Sequence, residues 1–174
     1  MPKKNEVYKM LELTKHCRLV GNYVFFLKGP FSQWFMAEME ENGLVFNCCE
    51  QYMMYNKALL FGDSLTAAKI LGSCDPAEQK RLGRTVRNFD NQLWNQHKKE
   101  IVFRGNMLKF SQNEELKQYL LSTGNRTLVE ANKHDRIWGI GMYSDDRQLL
   151  RTELWGKNLL GKILMEVREE LSGN

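Results

Sequence analysis

The chain has 174 residues, of which 43% are hydrophobic and 26% charged, and a formal net charge of +4. That is the size and composition of one globular domain, which excludes a disordered chain, and no run approaches the ~20 apolar residues a membrane span needs. The polar opening Met1-Pro2-Lys3-Lys4-Asn5-Glu6 has no apolar stretch behind it, so a soluble cytoplasmic protein is expected.

Along the chain, the β-branched and aromatic run RLVGNYVFFL at 18–27 predicts a strand, which Gly29-Pro30 ends in a turn. Leu44-Val45-Phe46 predicts a second short strand behind an Asn42-Gly43 hairpin turn. The pattern becomes helical at Glu50 and stays so to Phe61. Asp63 and Asp75 are N-cap candidates, the second followed by Pro76 at the first turn and Glu78 three residues on. Asp90 predicts the start of a long helix through Trp94 to about Leu108, and Ser111 or Asn113 the start of another ending near Gly124. Thr127-Leu128-Val129-Glu130 reads as a short strand. The last helix, over about 158–171, sets Leu160, Ile163, Leu164, Val167 and Leu171 on one stripe. No repeat or linker divides the sequence. The expected fold is therefore α+β, predominantly helical, a single domain over 1–174 with a small β component.

Cys17, Cys48, Cys49 and Cys74 show no C-x-x-C spacing, and His16, His97 and His134 are scattered. Reduced thiols are expected, and no metal site. The helix from Glu50 to Phe61 carries the most informative pair. It is apolar nearly all round and should be buried, yet it holds Glu50 and Lys57. Seven residues make almost two turns, so both side chains leave one face about 10 Å apart along the axis. Charges buried out of each other's reach need other counter-charges or a solvated pocket with a ligand. Both readings stand at this level.

Farther on, Asp135-Arg136-Ile137-Trp138-Gly139-Ile140-Gly141 suggests a backbone that closely approaches something beside a flat ring, without being a dinucleotide fingerprint. Asn158, two residues after Gly156, precedes the last helix, where it is either a plain N-cap or part of an anion site. Arg84 and Arg87, one turn apart, could clamp a phosphate. They belong to a stretch at 79–109 with eight basic residues against two acids, read either as solvated surface or as a rim that attracts phosphate. Trp94 is a core residue or a stacking platform, and His97 is expected at the surface.

Several segments in one order resemble the NADAR superfamily, also called YbiA-like. They are Phe25-Phe26-Leu27-Lys28-Gly29-Pro30-Phe31-Ser32-Gln33-Trp34, Asn47-Cys48-Cys49-Glu50 through Lys57, Leu82-Gly83-Arg84 and Trp94. Lys109-Phe110, Leu128-Val129-Glu130, Asp135 to Gly141 and Gly156-Lys157-Asn158 continue the series, which covers about 20–171. The resemblance implies a largely helical domain and N-glycosidase activity on ribose-linked bases, of two kinds: phosphoribosylamino-pyrimidines and ADP-ribosylated guanine. It places the family's glutamate at Glu50, its lysine at Lys57, and its aspartate and tryptophan at Asp135 and Trp138. The catalytic set it implies is Glu50, Lys57 and Asp135. Substrate contacts are expected from Ser32, Gln33, Trp34, Arg84, Trp94, Trp138, Gly139, Gly141 and Asn158, with no metal and no cofactor. The expected partner is a small ribose phosphate or ADP-ribose conjugate, or ADP-ribosylated nucleic acid, and no membrane. Two other readings remain: a module that binds ADP-ribose without cleaving it, and a nucleic-acid binder using the basic stretch. The loop at 142–153 is longer than in compact members and bears on substrate choice.

Overall fold

The computed structural model describes residues 13–173. The chain forms two compact units, one drawn from its two ends, through Ser32 and again from Glu114 onward, and one from the continuous middle, 33–113. No helix among the described residues is long and apolar enough to cross a membrane.

In the unit of the two ends, β1 (Cys17–Val20) and β2 (Tyr23–Phe26) form an antiparallel pair. The single strand expected over 18–27 is thus two strands. The chain reverses at Gly21-Asn22, where Gly21 has a φ of 55°, and a Gly-Asn pair between apolar runs is itself a hairpin signal. On its other side β2 pairs in parallel with β5 (Thr127–Glu130), Val24 opposite Leu128. The centre of the sheet is apolar on both faces, with Val24, Phe25 and Phe26 of β2 and Leu128 and Val129 of β5 buried. Against β5 packs α6 (Leu159–Ser172), and α5 (Glu114–Leu121) packs on α6. The expected stripe is where it should be: Leu160, Ile163, Leu164 and Val167 are buried and Leu171 half-buried. Contact is close because position 161 is glycine. A Cβ there would lie 2.1 Å from the Leu128 carbonyl oxygen. Gly161→Ala should cost about 3 kcal/mol of stability in urea denaturation, since backbone cannot yield as a side chain can. The long loop after β5 carries its own apolar anchors, with Ile140, Met142 and Leu149 buried against Phe25 and Val129.

The middle unit opens with a hairpin of β3 (Met39–Glu41) and β4 (Leu44–Phe46), turned at Asn42-Gly43 as expected. β3 has no signal of its own in the sequence. Four helices follow: α1 (Cys49–Leu60), α2 (Ser64–Leu71), α3 (Pro76–Gly83) and α4 (Asn91–Gln112). The three aspartate caps work as the sequence predicts. Asp63 accepts from Thr66 N, Asp75 from Ala77 N and Asp90 from Leu93 N. α1 is the centre of this unit and packs against the other three helices, with seven of its twelve residues buried. Helix–helix approach at α3 again needs glycine: a Cβ on Gly83 would lie 2.0 Å from the sulfur of Met54.

Candidate active site

α1 begins under constraint. Its N-cap Cys48 makes no side-chain cap bond. Instead the Glu50 amide donates to the Gln33 carbonyl at 2.9 Å, which docks the preceding segment onto the helix start. Gln51 locks the same turn by donating to the carbonyls of Ile70, Leu71 and Ser73.

Glu50 is only 4% exposed, and its Oε1 has no hydrogen-bond partner in the structure. Burial pushes its carboxyl up to about 7, against the pull of Lys80, a hydrogen bond from the Trp34 side chain, and the charges of Arg84 and Lys57. A buried carboxylate oxygen with no partner is costly unless something else fills the place. Lys57 sits two turns along the same face. Its Nζ donates to the Gly83 carbonyl at 2.8 Å and stands 4.5 Å from the centroid of the Phe89 ring and 5.6 Å from that of Trp94. Burial lowers the Lys57 ammonium, helped by Arg84 and opposed by Glu50. The acid and the amine therefore feel each other's charge without forming a direct ion pair.

Aromatic and basic groups surround the pair. Trp34 and Phe89 are 44% and 46% exposed, far more than large aromatics in a closed core. Lys80 holds its Nζ 5.7 Å from the centroid of the Trp34 ring. Lys80 and Arg84 lie one turn apart at the end of α3. Arg87 is not free to form the phosphate clamp suggested for it with Arg84. Arg87 donates from its guanidinium and main-chain nitrogen to Asp63, at 3.1 and 2.9 Å, and holds that buried carboxyl well below its usual range. The cation that stands one turn from Arg84 is Lys80 instead, because Asp63, remote in sequence, takes Arg87.

The basic stretch at 79–109 is not a continuous rim. Lys98 and Lys109 are buried, Arg81 pairs with Glu78, Arg87 with Asp63 and Arg104 with Glu41. Among the described residues, Lys80, Arg84 and Lys99 are the three of its eight cations neither buried nor paired with an acid, and the first two act on Glu50.

The remaining expected site residues behave differently. Gln33 spends its side-chain amide on buried Asn106, at 3.1 and 3.3 Å. Ser32, Asp135, Trp138, Gly139, Gly141 and Asn158 belong to the other unit. There Asp135 accepts from the amides of Ile137 and Trp138 through one oxygen, at 2.8 and 2.7 Å, which shapes the turn before the two glycines. What those glycines approach is their own chain: Gly139 faces the Glu130 carbonyl and Gly141 the Arg136 side chain. Half-buried Trp138 accepts at its carbonyl from the Leu160 amide, and Ser32 closes the turn onto Gly29. Asn158 is buried at the N-cap of α6 with a φ of 50°, and its side chain bridges the Glu130 amide and the Leu128 carbonyl. The amides of Leu159 and Leu160 already donate to Ile137 and Trp138, so the start of α6 does not offer them to an anion. Sequence reasoning gave no sign of Phe89 or Asn106. The thiols of Cys48 and Cys49 are free, and burial pushes them to about 11 and 12, which leaves them inert as nucleophiles near neutrality.

A helical fold with a small sheet and a carboxylate–lysine face on a buried helix places the chain in a known class. The NADAR domain model matches residues 25–172, and the chain belongs to that family. Among curated proteins it is 50% identical over 146 residues to an N-glycosidase of Acanthamoeba polyphaga mimivirus, covering 80% of this chain and 86% of that one. It is 29% identical over 144 residues to N-glycosidase YbiA of Escherichia coli, covering 83% and 82%. A 102-residue match at 35% identity joins it to the chloroplastic riboflavin biosynthesis protein PYRR of Zea mays, over 56% of this chain and 15% of that one. The solved structure of Escherichia coli YbiA aligns with a TM-score of 0.72 and 26% identity, over 90% of this chain and 89% of YbiA. The fold is YbiA-like.

Proposed function

We propose that this protein hydrolyses the C1′–N bond joining a phosphorylated ribose, or ADP-ribose, to a base. It is a hydrolase of the N-glycosidase class, to which the mimivirus protein and YbiA belong by name; the substrate is the further step. The observation that carries it is the buried carboxyl of Glu50, whose Oε1 has no hydrogen-bond partner and which feels the charges of Lys80, Arg84 and Lys57. Breaking a ribosyl C1′–N bond builds positive charge on the sugar, which a nearby carboxylate stabilises while it accepts a proton from the attacking water. A carboxyl with a midpoint about 7 suits that exchange near neutral pH. Lys80 and Arg84, freed of acidic partners, suit a phosphate, and the exposed faces of Trp34 and Phe89 suit a planar base or the sugar. Asp135 and Trp138 enter on the family motif alone, as a group that orients water or a ribose hydroxyl and a ring that stacks. Kinship with PYRR favours a phosphoribosylamino-pyrimidine, and ADP-ribosylated guanine is the other substrate to be tried. The cytoplasm is the proposed location.

The test is incubation with both substrate types and mass spectrometry for the freed base. Binding without release would make the protein a reader of ADP-ribose instead. With the cleaved substrate in hand, Lys80→Gln and Arg84→Gln should each raise KM at least about tenfold for the phosphorylated compound and leave KM for the dephosphorylated nucleoside little changed, while the loss of their charge on Glu50 shows in kcat for both. Equal effects on KM for both compounds would remove the phosphate from this site.

A further inference from the structure

Asn106 lies on α4 with no exposure at all, and it uses its amide fully. Its Nδ2 donates to the Val102 carbonyl at 2.8 Å and to Gln33 Oε1 at 3.3 Å. Its Oδ1 accepts from Gln33 Nε2 at 3.1 Å and from the Cys49 thiol at 3.7 Å. A buried side-chain amide in the middle of a helix is expensive unless every partner is met, and here the two partners outside its own helix, Gln33 and Cys49, lead toward Glu50. Cys49 precedes Glu50 in the chain. Gln33 accepts the Glu50 amide on its carbonyl, and the next residue, Trp34, is hydrogen-bonded to the Glu50 carboxyl. The dipeptide Gln33-Trp34 thus grips Glu50 at both its main-chain and side-chain ends. Among the described residues, the hydrogen bonds of the Gln33 side chain are those of the reciprocal amide pair with Asn106.

We propose that Asn106 is a positioning residue for Glu50, acting through the Gln33-Trp34 dipeptide that it fixes in place. It touches neither substrate nor reacting atoms. Its effect is to keep the Trp34 side chain on the carboxyl while Lys80 and Arg84 on α3 and Lys57 on α1 supply the charge around it. The proposal rests on the assignment of Glu50 as the catalytic carboxylate, and it makes a claim about coupling that is measurable without any substrate.

The readout is the indole N–H resonance of Trp34, followed by NMR in 15N-labelled protein as pH is varied. In the wild-type protein that resonance should move in one step with a midpoint about 7 as Glu50 ionises, and Glu50→Gln should erase the step. In Asn106→Ala the amplitude of the step should fall by more than about half, because the indole is no longer held on the carboxyl. Where the substrate is known, kcat should drop about tenfold with KM unchanged, the pattern of a misplaced catalytic group. Gln33→Ala, which cuts the same amide pair from its half-buried end, should give the same loss of amplitude and serves if Asn106→Ala does not fold. Ile163→Val, a core truncation on α6 in the other unit, should leave the step intact. A full-amplitude step in the folded Asn106 or Gln33 variant overturns the proposal. Failure of the wild-type protein to release any base would instead count against the proposed function and leave this result standing.

Discussion

Glu50→Gln should lose about 10³-fold or more in turnover and at the same time melt at a higher temperature than the wild-type protein at pH 8. Both effects come from one fact. Burial holds the Glu50 carboxyl at about 7 in the folded protein, whereas the same group in the unfolded chain titrates near its ordinary value of 4.5. The folded state binds this proton more tightly, so the group supports folding fully below about pH 4.5, and that support is lost as pH rises through 7. At pH 8 the charged carboxylate costs roughly 3 kcal/mol relative to a neutral side chain of the same shape. Glutamine removes the charge, keeps the volume and can satisfy the same space, so in a chain of this length Tm should rise by several degrees. The gap between the two proteins should close as pH falls toward 4.5. Calorimetry of both across pH 4 to 8 checks this, with the rate measured on the same samples. A Glu50→Gln protein less stable than wild type at every pH would mean that the carboxylate is a structural counter-ion and not a group held for chemistry.

The parts of this protein that are legible in its sequence are those settled within a few residues. Asp63, Asp75 and Asp90 cap helices by reaching amides two or three positions ahead, and the Asn42-Gly43 turn needs only its own backbone. The seven-residue spacing of Glu50 and Lys57 is of the same kind, because one helix carries both. What was not legible depends on partners far along the chain. Arg84 and Arg87 look alike as a pair, but Asp63, more than twenty residues earlier, takes Arg87 and leaves Lys80 to stand with Arg84. Lys109 counts as surface charge by composition, yet it lies wholly buried, with its Nζ 5.4 Å from the centroid of the Phe35 ring. Asn158 reads as a helix cap, but a left-handed backbone turns its side chain away from the helix to stitch β5 in place. Asn106 carries no signal at all, since a polar residue inside a long helix usually faces water.

Lys57→Arg should also lose about 10³-fold, and the reason separates two roles that the residue type leaves open. An arginine would keep the positive charge and the hydrogen bond to the Gly83 carbonyl, so a purely electrostatic lysine would tolerate it. Lys57 is placed differently. Its amine is half-buried beside the Arg84 cation, and burial lowers it from the ordinary lysine value, which increases the share of free amine near neutrality. Those are the conditions under which a lysine becomes a nucleophile toward a carbonyl carbon. The ribose ring opens at the C1–O4′ bond, which leaves C1 double-bonded to the base nitrogen. The Nζ lone pair of Lys57 then adds to C1, the base nitrogen takes up a proton and leaves as the free amine, and the lysine imine so formed is hydrolysed by water to the aldehyde. Borohydride added during turnover should deliver hydride to that imine and leave the sugar permanently attached to Lys57, visible as a mass increase on one peptide. In the same experiment kcat/KM should rise through pH 7 as Glu50 ionises and hold its level on the alkaline side. If Lys57 instead gives its proton to the leaving base, no adduct forms and the profile turns down as the ammonium is lost, so the alkaline limb and the trapped peptide must agree.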